Sequence, residues 1–336
     1  MNSFMLSDHS VHGMHLAEEF NLFSSINSIN YLKKMKALIT TVFLALLGIS
    51  IQAQTPVTLK LNLEKGKLYT IKVTGKQTIQ QTANGQSFSL DVFSNNVTSY
   101  KVLKQENDVM DIEFKFDTIA SKISSAMYNK ETNSAKTNGT EPLEKIMHKM
   151  STNTIIAKIS TGGKFIDFVN FGKFKDNVLF VLDSIPAGQR DQAKTQAEGV
   201  LKESALKSMI EPIFAYLPET SVKIGDNWET SFFMVTSSVS LMAQNSFNLK
   251  AVDKNIASVT GKTEIESIPS NDPNAQMTQE LKGTMTSEGT IDLATGLTLK
   301  NTSKGHIEGT ATMKNNGNEM KIPVVVDSQS ETIMLK

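Results

Sequence analysis

The sequence predicts an α+β protein, mainly antiparallel β, in which two β-meanders form a curved sheet or half-barrel around a central segment of two to three helices. Three observations carry that reading. Apolar residues alternate with period two over residues 54–170, the period lengthens to that of a helix over 171–217, and period two returns over 218–336. Gly-containing turn dipeptides, among them Asn84-Gly85, Thr295-Gly296 and Asn316-Gly317, punctuate the alternating stretches. The 336 residues also hold 39% hydrophobic side chains and balanced charge, 34 basic against 34 acidic, which suits a packed globular domain.

The first element is an address. Lys33, Lys34 and Lys36 precede the uncharged run ALITTVFLALLGI at 37–49, and Ala53 supplies a small residue for cleavage. This pattern predicts a secretory signal peptide over 35–53, because the apolar run is shorter than the ~20 residues that span a bilayer. Residues 1–34 read as an upstream extension, a start-site artefact or a segment removed with the signal, so the His9, His12 and His15 within it carry no functional argument. The remainder, 54–336, is predicted to be a single β-rich domain, exported to the periplasm or outer surface. Zero cysteine excludes a lipid anchor on a mature N-terminal cysteine, along with disulfides and thiolate metal sites.

Along that domain, Leu59, Leu61 and Leu63 alternate with polar partners, as do Tyr69, Ile71 and Val73, then Phe88, Leu90 and Val92, then Tyr100 and Val102. The sharpest strand is Met110, Ile112, Phe114 and Phe116 set against Asp111, Glu113, Lys115 and Asp117, one face for a core and one for water. Residues 129–141 lack apolar periodicity and predict a mobile loop. Pro142 opens a short helix with Ile146 and Met150 on one face, and Ile155, Ala157, Ile159, Gly162-Gly163 and Phe165 make a hairpin. Phe174, Val178, Leu182 and Ile185 then predict one amphipathic helix. Ala193, Ala197, Val200, Leu201 and Ala205 predict a second, ending or kinking near Pro212. Strands resume with Trp228, Thr230, Phe232 and Met234, Phe247 and Leu249, Ile256, Ser258 and Thr260, and Ile322, Val324 and Val326.

Two segments 159 residues apart share a plan: Leu63-x2-Gly66-x2-Tyr69 and Val222-x2-Gly225-Asp226-x-Trp228. In each, glycine permits the turn into a strand and the aromatic three residues on plugs the open end of the sheet. The echo marks either a duplicated half or a coincidence among such turns. The Leu63-Glu-Lys-Gly-Lys-x-Tyr69 and Leu217-Pro-x3-Val-Lys-x-Gly-Asp-x-Trp228 motifs, behind a signal ending in Ala-Gln, resemble an uncharacterised family of exported Bacteroidota proteins. That resemblance implies an exported protein and no catalytic residue. The architecture is also similar to the half-barrel of periplasmic lipoprotein carriers, by analogy of fold alone.

Composition and motifs exclude most chemistries. Arg190 is the only arginine and the net charge is zero, which argues against nucleic-acid binding. Beyond residue 53 only His148 and His306 remain, so a three-histidine metal site is impossible and no metal or cofactor is expected. Gly261-Lys262-Thr263 lacks the first glycine of a phosphate loop, and Ser204-x2-Lys207 lacks the companion motifs of penicillin-recognising enzymes. Adjacent Asp111 and Glu113 suit a solvent face better than a glycosidase pair. No catalytic residue is assigned, and the protein is expected not to be an enzyme.

The positive feature is apolar. Phe165, Phe168, Phe171, Phe174 and Phe180 fall within sixteen residues, and Phe232 and Met234 lie on a nearby strand. With Leu182, the set Phe165, Phe168, Phe174, Phe232 and Met234 either lines a cavity for a lipid or other small apolar ligand, or fills a solid core. The second alternative makes the protein a structural or protein-interaction module of the cell envelope, with no permanent membrane span after signal cleavage.

Overall fold

The structure, a computed structural model, describes residues 55–83, 85–126, 128–136, 141–235, 239–268, 277–315 and 318–335. The signal segment, Asn84, Asp272-Pro273 and Asn316-Gly317 lie outside them. Residues Pro56–Lys336 form one compact unit. Its chain order is β1 (Tyr69–Ala83), β2 (Gln86–Glu106), β3 (Val109–Ser124), β4 (Asn129–Asn133), α1 (Pro142–Ser151), β5 (Thr154–Ser160) and β6 (Phe165–Phe168). The helical middle follows as α2 (Phe171–Leu179), a 3-10 turn at Phe180–Ser184, α3 (Ala187–Val200), α4 (Glu203–Ile210) and a second 3-10 turn at Glu211–Ile213. Last come β7 (Asn227–Val235), β8 (Ser240–Asp253), β9 (Ile256–Ile268), β10 (Met277–Asp292), β11 (Thr298–Asn315) and β12 (Asn318–Leu335).

Among the described residues, twelve strands belong to one open, curved sheet of order β6-β5-β3-β2-β1-β12-β11-β10-β9-β8-β7, with β4 paired to β3. Among the described strands the pairings are antiparallel, most of them between strands consecutive in the chain, with β1–β12 and β3–β5 the pairings between strands distant in sequence. The chain is thus α+β and mainly antiparallel β, two meanders with helices between them. β12 joins the halves by pairing with β1 on one side and β11 on the other.

Curvature is written into the inward register. Gly75, Gly261, Gly283, Gly289, Gly305 and Gly309 share strand faces with Val73, Val259, Leu281, Ser287, Ser303 and Ile307, the side that packs inward. A Cβ on Gly261 would stand 2.6 Å from Ser287 Oγ, and one on Gly305 would run into Met285. Neighbouring strands therefore approach on this face where a side chain is missing, which bends the sheet toward it. The outer face is polar and ion-paired: Lys158 meets Asp111 at 2.8 Å and Lys101 meets Glu113 at 2.9 Å, while Met110, Ile112 and Phe114 on the reverse of β3 are fully buried.

The main core lies between helices and sheet and includes Ile146 and Met150 of α1, Phe174 and Val178 of α2, Ala197 of α3, and Leu206 and Ile210 of α4. A second cluster of Leu241, Ile265, Leu281, Ala311, Ile322 and Val324 lies on β8 to β12. Ile79 and Met234 pack against it.

The two halves repeat each other in detail. Gly66 (φ 80°) and Gly225 (φ 93°) sit in matching turns closed by Lys67 N–H to Glu64 O at 3.2 Å and Asp226 N–H to Lys223 O at 3.0 Å. Each glycine donates to a strand carbonyl, Val102 O at 2.9 Å and Leu249 O at 2.7 Å. Each aromatic stacks on a ring of the next strand, Tyr69 on Tyr100 at 5.8 Å and Trp228 on Phe247 at 5.6 Å. The following hairpins turn at Asn107 and Lys254, both at φ 51°. The β5–β6 and β10–β11 hairpins turn at Gly163 (φ 82°) and Gly296 (φ 73°).

Several expectations need correction. The Leu59-Leu61-Leu63 stretch is extended and buried but is no strand, because its hydrogen bonds go to turns: Leu61 N–H to Thr161 O at 2.7 Å and Asn62 N–H to Thr295 O at 2.9 Å. Part of the expected 129–141 loop is β4, held on the end of β3 by polar pairing such as Ser121 Oγ with Thr132 Oγ1 at 2.8 Å. The two expected helices are broken into α2 plus a 3-10 turn, and α3 plus α4, the second break falling where Lys202 takes an extended backbone. On β9 the phase is shifted by one: Ala257 and Val259 are buried, whereas Ile256 is 42% exposed.

Gly296 fixes one end of the fold. Its φ of 73° suits glycine, and a Cβ there would strike the carbonyl of Lys60 in the segment that crosses the turn. Gly296→Ala is expected to cost about 2 kcal/mol, the left-handed backbone alone being worth about 1–2. Chemical denaturation of the variant checks this, and an unchanged midpoint would show that the crossing segment yields freely.

Candidate functional site

A cavity of about 520 Å³ lies between the helical segment and the sheet. Its walls come from β1, β2, β3 and β7 to β12 at once, which only the concave side of a curved sheet permits. Ile71 and Val73 of β1, Phe116 of β3, Val259 of β9, Met285 of β10 and Met334 of β12 supply apolar surface. Ser208 and Met209 of α4, with Pro212, Ile213, Ala215 and Tyr216 after it, close the other side. Among the described residues no Lys, Arg, Asp, Glu or His lines it; its polar groups are hydroxyls and amides.

Two phenols stand in the wall. The Tyr216 hydroxyl donates to Gly296 O at 2.7 Å and accepts from Thr298 N–H at 2.9 Å, tying the chain after α4 to the β10–β11 turn. Burial pushes this phenol up to about 12. Tyr100 of β2 is 1% exposed, flanked by Tyr69, Phe114 at 5.7 Å and an edge-on Phe214 at 5.5 Å. Its hydroxyl has no hydrogen-bond partner among the described residues, and burial raises its pKa.

A polar chain borders one side: Thr263 Oγ1 donates to Asn245 Oδ1 at 2.7 Å, Asn245 Nδ2 to Thr230 Oγ1 at 3.0 Å, and Thr230 Oγ1 to Ala215 O at 2.6 Å. Ala215 and Asn245 also border an open cleft of about 870 Å³ that carries charge, including Lys60, Asp108, Glu211, Lys262 and Glu264. Charge is therefore kept beyond the Asn245 chain. Burial raises the Glu211 carboxyl against the opposing pull of Lys207.

The model of a family of unknown function, DUF6263, matches residues 107–298, from the turn after β2 to the first residue of β11. The chain belongs to the DUF6263 family. No curated protein matches it in sequence. Among solved structures, lipovitellin, studied for its lipid–protein interactions, aligns over 82% of this DUF6263 chain and 26% of its own, at 10% identity and a TM-score of 0.47. The chain thus spans about a quarter of that protein's length. An outer membrane channel from Pseudomonas putida F1 (82% and 97% covered, 7% identity, TM-score 0.22) and OprG from Pseudomonas aeruginosa (82% and 99%, 6%, 0.21) are looser likenesses. No residue role comes from any of them.

Of the residues singled out in sequence, Phe232 lines the cavity and the other five do not. Phe165 and Phe168 of β6 pack edge-to-face at 4.8 Å, Phe168 stacks on Phe171 at 5.9 Å, and Lys207 Nζ caps the Phe165 ring at 5.3 Å. Phe174 is buried in the main core, Leu182 is half-buried in the 3-10 turn, and Met234 packs on the second cluster. An irregular register between β5 and β6 lets Phe165 and Phe168 share the buried side, where the rings pack on one another in the main core. The other motif residues cluster at the ends of the strands: Tyr69 receives the Glu64 N–H on its hydroxyl at 3.0 Å, Asp226 Oδ2 accepts from Lys223 N–H at 2.8 Å, and Trp228, 8% exposed, donates Nε1–H to Tyr216 O at 2.8 Å.

Sequence reading missed Tyr100, Tyr216 and Asn245 as wall residues. A signal for the space itself was present: the inward positions of β10 and β11 read Met285-Ser287-Gly289 and Asn301-Ser303-Gly305, small or hydroxylated where a filled core would carry large apolar residues.

The histidines are apart from the cavity. His148 Nδ1 lies 2.8 Å from Ser134 O, and His306 Nδ1 lies 2.8 Å from Asp327 Oδ1 on the outer face. Among the described residues no group of three or more His, Cys, Asp or Glu is placed to hold a metal, and no helix is long and apolar enough to cross a membrane. The Asp327 hydrogen bond raises the His306 pKa above 6.5, with Asp327 and Glu308 charge adding to it. A raised folded-state value means that this pair's stabilisation is complete below the ordinary imidazole range and is lost as pH rises through the raised value. NMR titration should show His306 titrating above 6.5, and Asp327→Asn should bring it down; an unmoved value would remove Asp327 as the cause.

Proposed function

We propose that this DUF6263 protein is exported to the periplasm or outer surface and is a non-enzymatic holder of an uncharged, lipid-like ligand in the cavity beneath α4. The single observation that carries the reading is a charge-free cavity of about 520 Å³ in the concave side of the sheet. That volume falls in the usual range for ligand pockets, about 300–1,000 Å³, with the expected mix of apolar wall and few polar groups. A domain this size would ordinarily close such space with side chains. Here Ser287, Gly289, Asn301 and Ser303 stand among the inward residues of β10 and β11 that line the space. Export rests on the signal-like pattern over 35–53.

The test is to express the full chain in a Gram-negative host, recover it from the periplasm without detergent, and combine native mass spectrometry with organic extraction. Cleavage after Ala53 and one co-purifying lipid per chain are expected. A clean apo mass together with no binding of diphenylhexatriene, a neutral hydrocarbon probe, would overturn ligand holding; retention in the cytoplasm would overturn export.

A further inference from the structure

Resting on the cavity reading, we propose that the sheet side of the cavity is a polar floor that takes hydroxyl groups spread along one face of the ligand. The ligand class is then a flat, two-faced lipid: a rigid, fused-ring type of skeleton with several hydroxyls on one side and a bare opposite side.

The floor carries side chains with bonding capacity to spare. Asn96 and Thr98 of β2, Asn301 of β11 and Thr332 of β12 line the cavity, and among the described residues their side chains have no hydrogen-bond partner. The pairing register turns all four inward: Asn96 and Thr332 flank Val73 of β1, Asn301 pairs with Thr332, and Thr98 pairs with Ile71. All four are half-buried, and their polar atoms are not sealed off as the Tyr100 hydroxyl is. Asn96 and Asn301 stand three strand spacings apart, about 14 Å along the sheet. The spare groups are therefore spread over the floor and not gathered at one point.

Glycine keeps this floor low. A Cβ on Gly289 would stand 2.7 Å from Asn301 Oδ1, so the amide lies across the neighbouring strand where a side chain is missing. Ser287 Oγ lies over Gly261 in the same way.

The roof has the opposite character. Met209, Pro212, Ile213 and Ala215 present apolar surface, and the polar side chains beside them are spent: Ser208 Oγ donates to Ala205 O at 2.8 Å, and Tyr216 is used in both directions by Gly296 and Thr298. A polar floor thus faces an apolar roof across one cavity. A chain with a single polar end would bond one floor group and desolvate the others without return. A rigid molecule with hydroxyls on one face bonds the floor along its length and rests its bare face on the roof, and its rigidity spares the cost of ordering. Its hydroxyls donate to the asparagine Oδ1 atoms and accept from asparagine Nδ2 and threonine Oγ1; nothing is transferred and no bond is broken.

The experiment uses the delipidated full chain, with displacement of diphenylhexatriene as the readout. The probes share one steroid skeleton: methyl cholanate, methyl lithocholate, methyl deoxycholate and methyl cholate, with no, one, two and three hydroxyls on one face. Affinity is expected to rise at each step, by about tenfold or more from the first to the last, the scale of one or two net buried hydrogen bonds. Thr98→Val combined with Thr332→Val keeps the side-chain shape and should weaken methyl cholate about tenfold while tightening methyl cholanate. Affinity that stays flat or falls along the series overturns the inference while the cavity reading stands, as does a methyl cholate preference that survives the double variant. A rise that stops at the first hydroxyl also overturns it, because one anchor would then suffice. Failure of diphenylhexatriene to bind the wild type overturns the cavity reading itself. Should the double variant not fold, Thr98→Val and Thr332→Val are compared singly, each expected to weaken methyl cholate about threefold; unchanged affinity in both overturns the floor.

Discussion

Phe214→Ala is expected to lower the unfolding free energy by about 3–5 kcal/mol, the range for removing a fully buried aromatic ring without collapse of its surroundings. Phe214 is 0% exposed, packs edge-on to Tyr100 at 5.5 Å and lies 6.2 Å from Phe114. Its backbone carbonyl also closes over Gly163, leaving no room there for a Cβ. Collapse is blocked because the flanking chain is pinned at Tyr216, whose hydroxyl bridges Gly296 and Thr298. Urea unfolding followed by the fluorescence of Trp228, the only tryptophan, gives the measurement. A loss below about 1 kcal/mol would mean that the segment after α4 packs on the sheet only loosely, and the roof of the cavity would lose its support.

The strands were legible wherever one face met water. On β3, Met110, Ile112, Phe114 and Phe116 are buried at 0–2% exposure while Asp111, Glu113, Lys115 and Asp117 point outward, so period two left no ambiguity. Leu59, Leu61 and Leu63 carry the same alternation for another reason. They lie under the turns at Thr161 and Thr295, and alternation reports a half-buried extended chain whether or not a neighbouring strand completes the ladder. The polar β4 was invisible because its pairing rests on backbone and hydroxyl groups, with no apolar face to betray it.

The cavity was hidden for a different reason. Space is a property of many positions taken together: Ser287, Gly289, Asn301 and Ser303 leave room only once β10 and β11 lie side by side at the centre of a curved sheet. Clustered phenylalanines stand out in a sequence, yet large rings are how a chain fills volume: Phe165, Phe168 and Phe174 fill it, while Phe180 is exposed. The repeat was half legible. Gly66 with Tyr69 and Gly225 with Trp228 carry it in residue type, but Asn107 and Lys254 carry it only in backbone conformation, which different side chains share.

Thr332→Trp separates a hollow interior from a packed one more sharply than any truncation. Thr332 faces inward on β12 between Val73 of β1 and Asn301 of β11, and all three line the cavity. If the space is open, an indole there occupies the volume a ligand needs, and diphenylhexatriene affinity is expected to fall at least about a hundredfold, equivalent to about 2.7 kcal/mol. The fold should lose less than about 1 kcal/mol, because the ring enters existing space and buries its own surface. In a solid core the same substitution would force side chains from their rotamers at a cost of about 1–3 kcal/mol and leave no binding to lose. Measuring both quantities on one variant makes the two readings exclusive: strong destabilisation with probe binding unchanged would relocate the probe to another surface and end the case for this cavity.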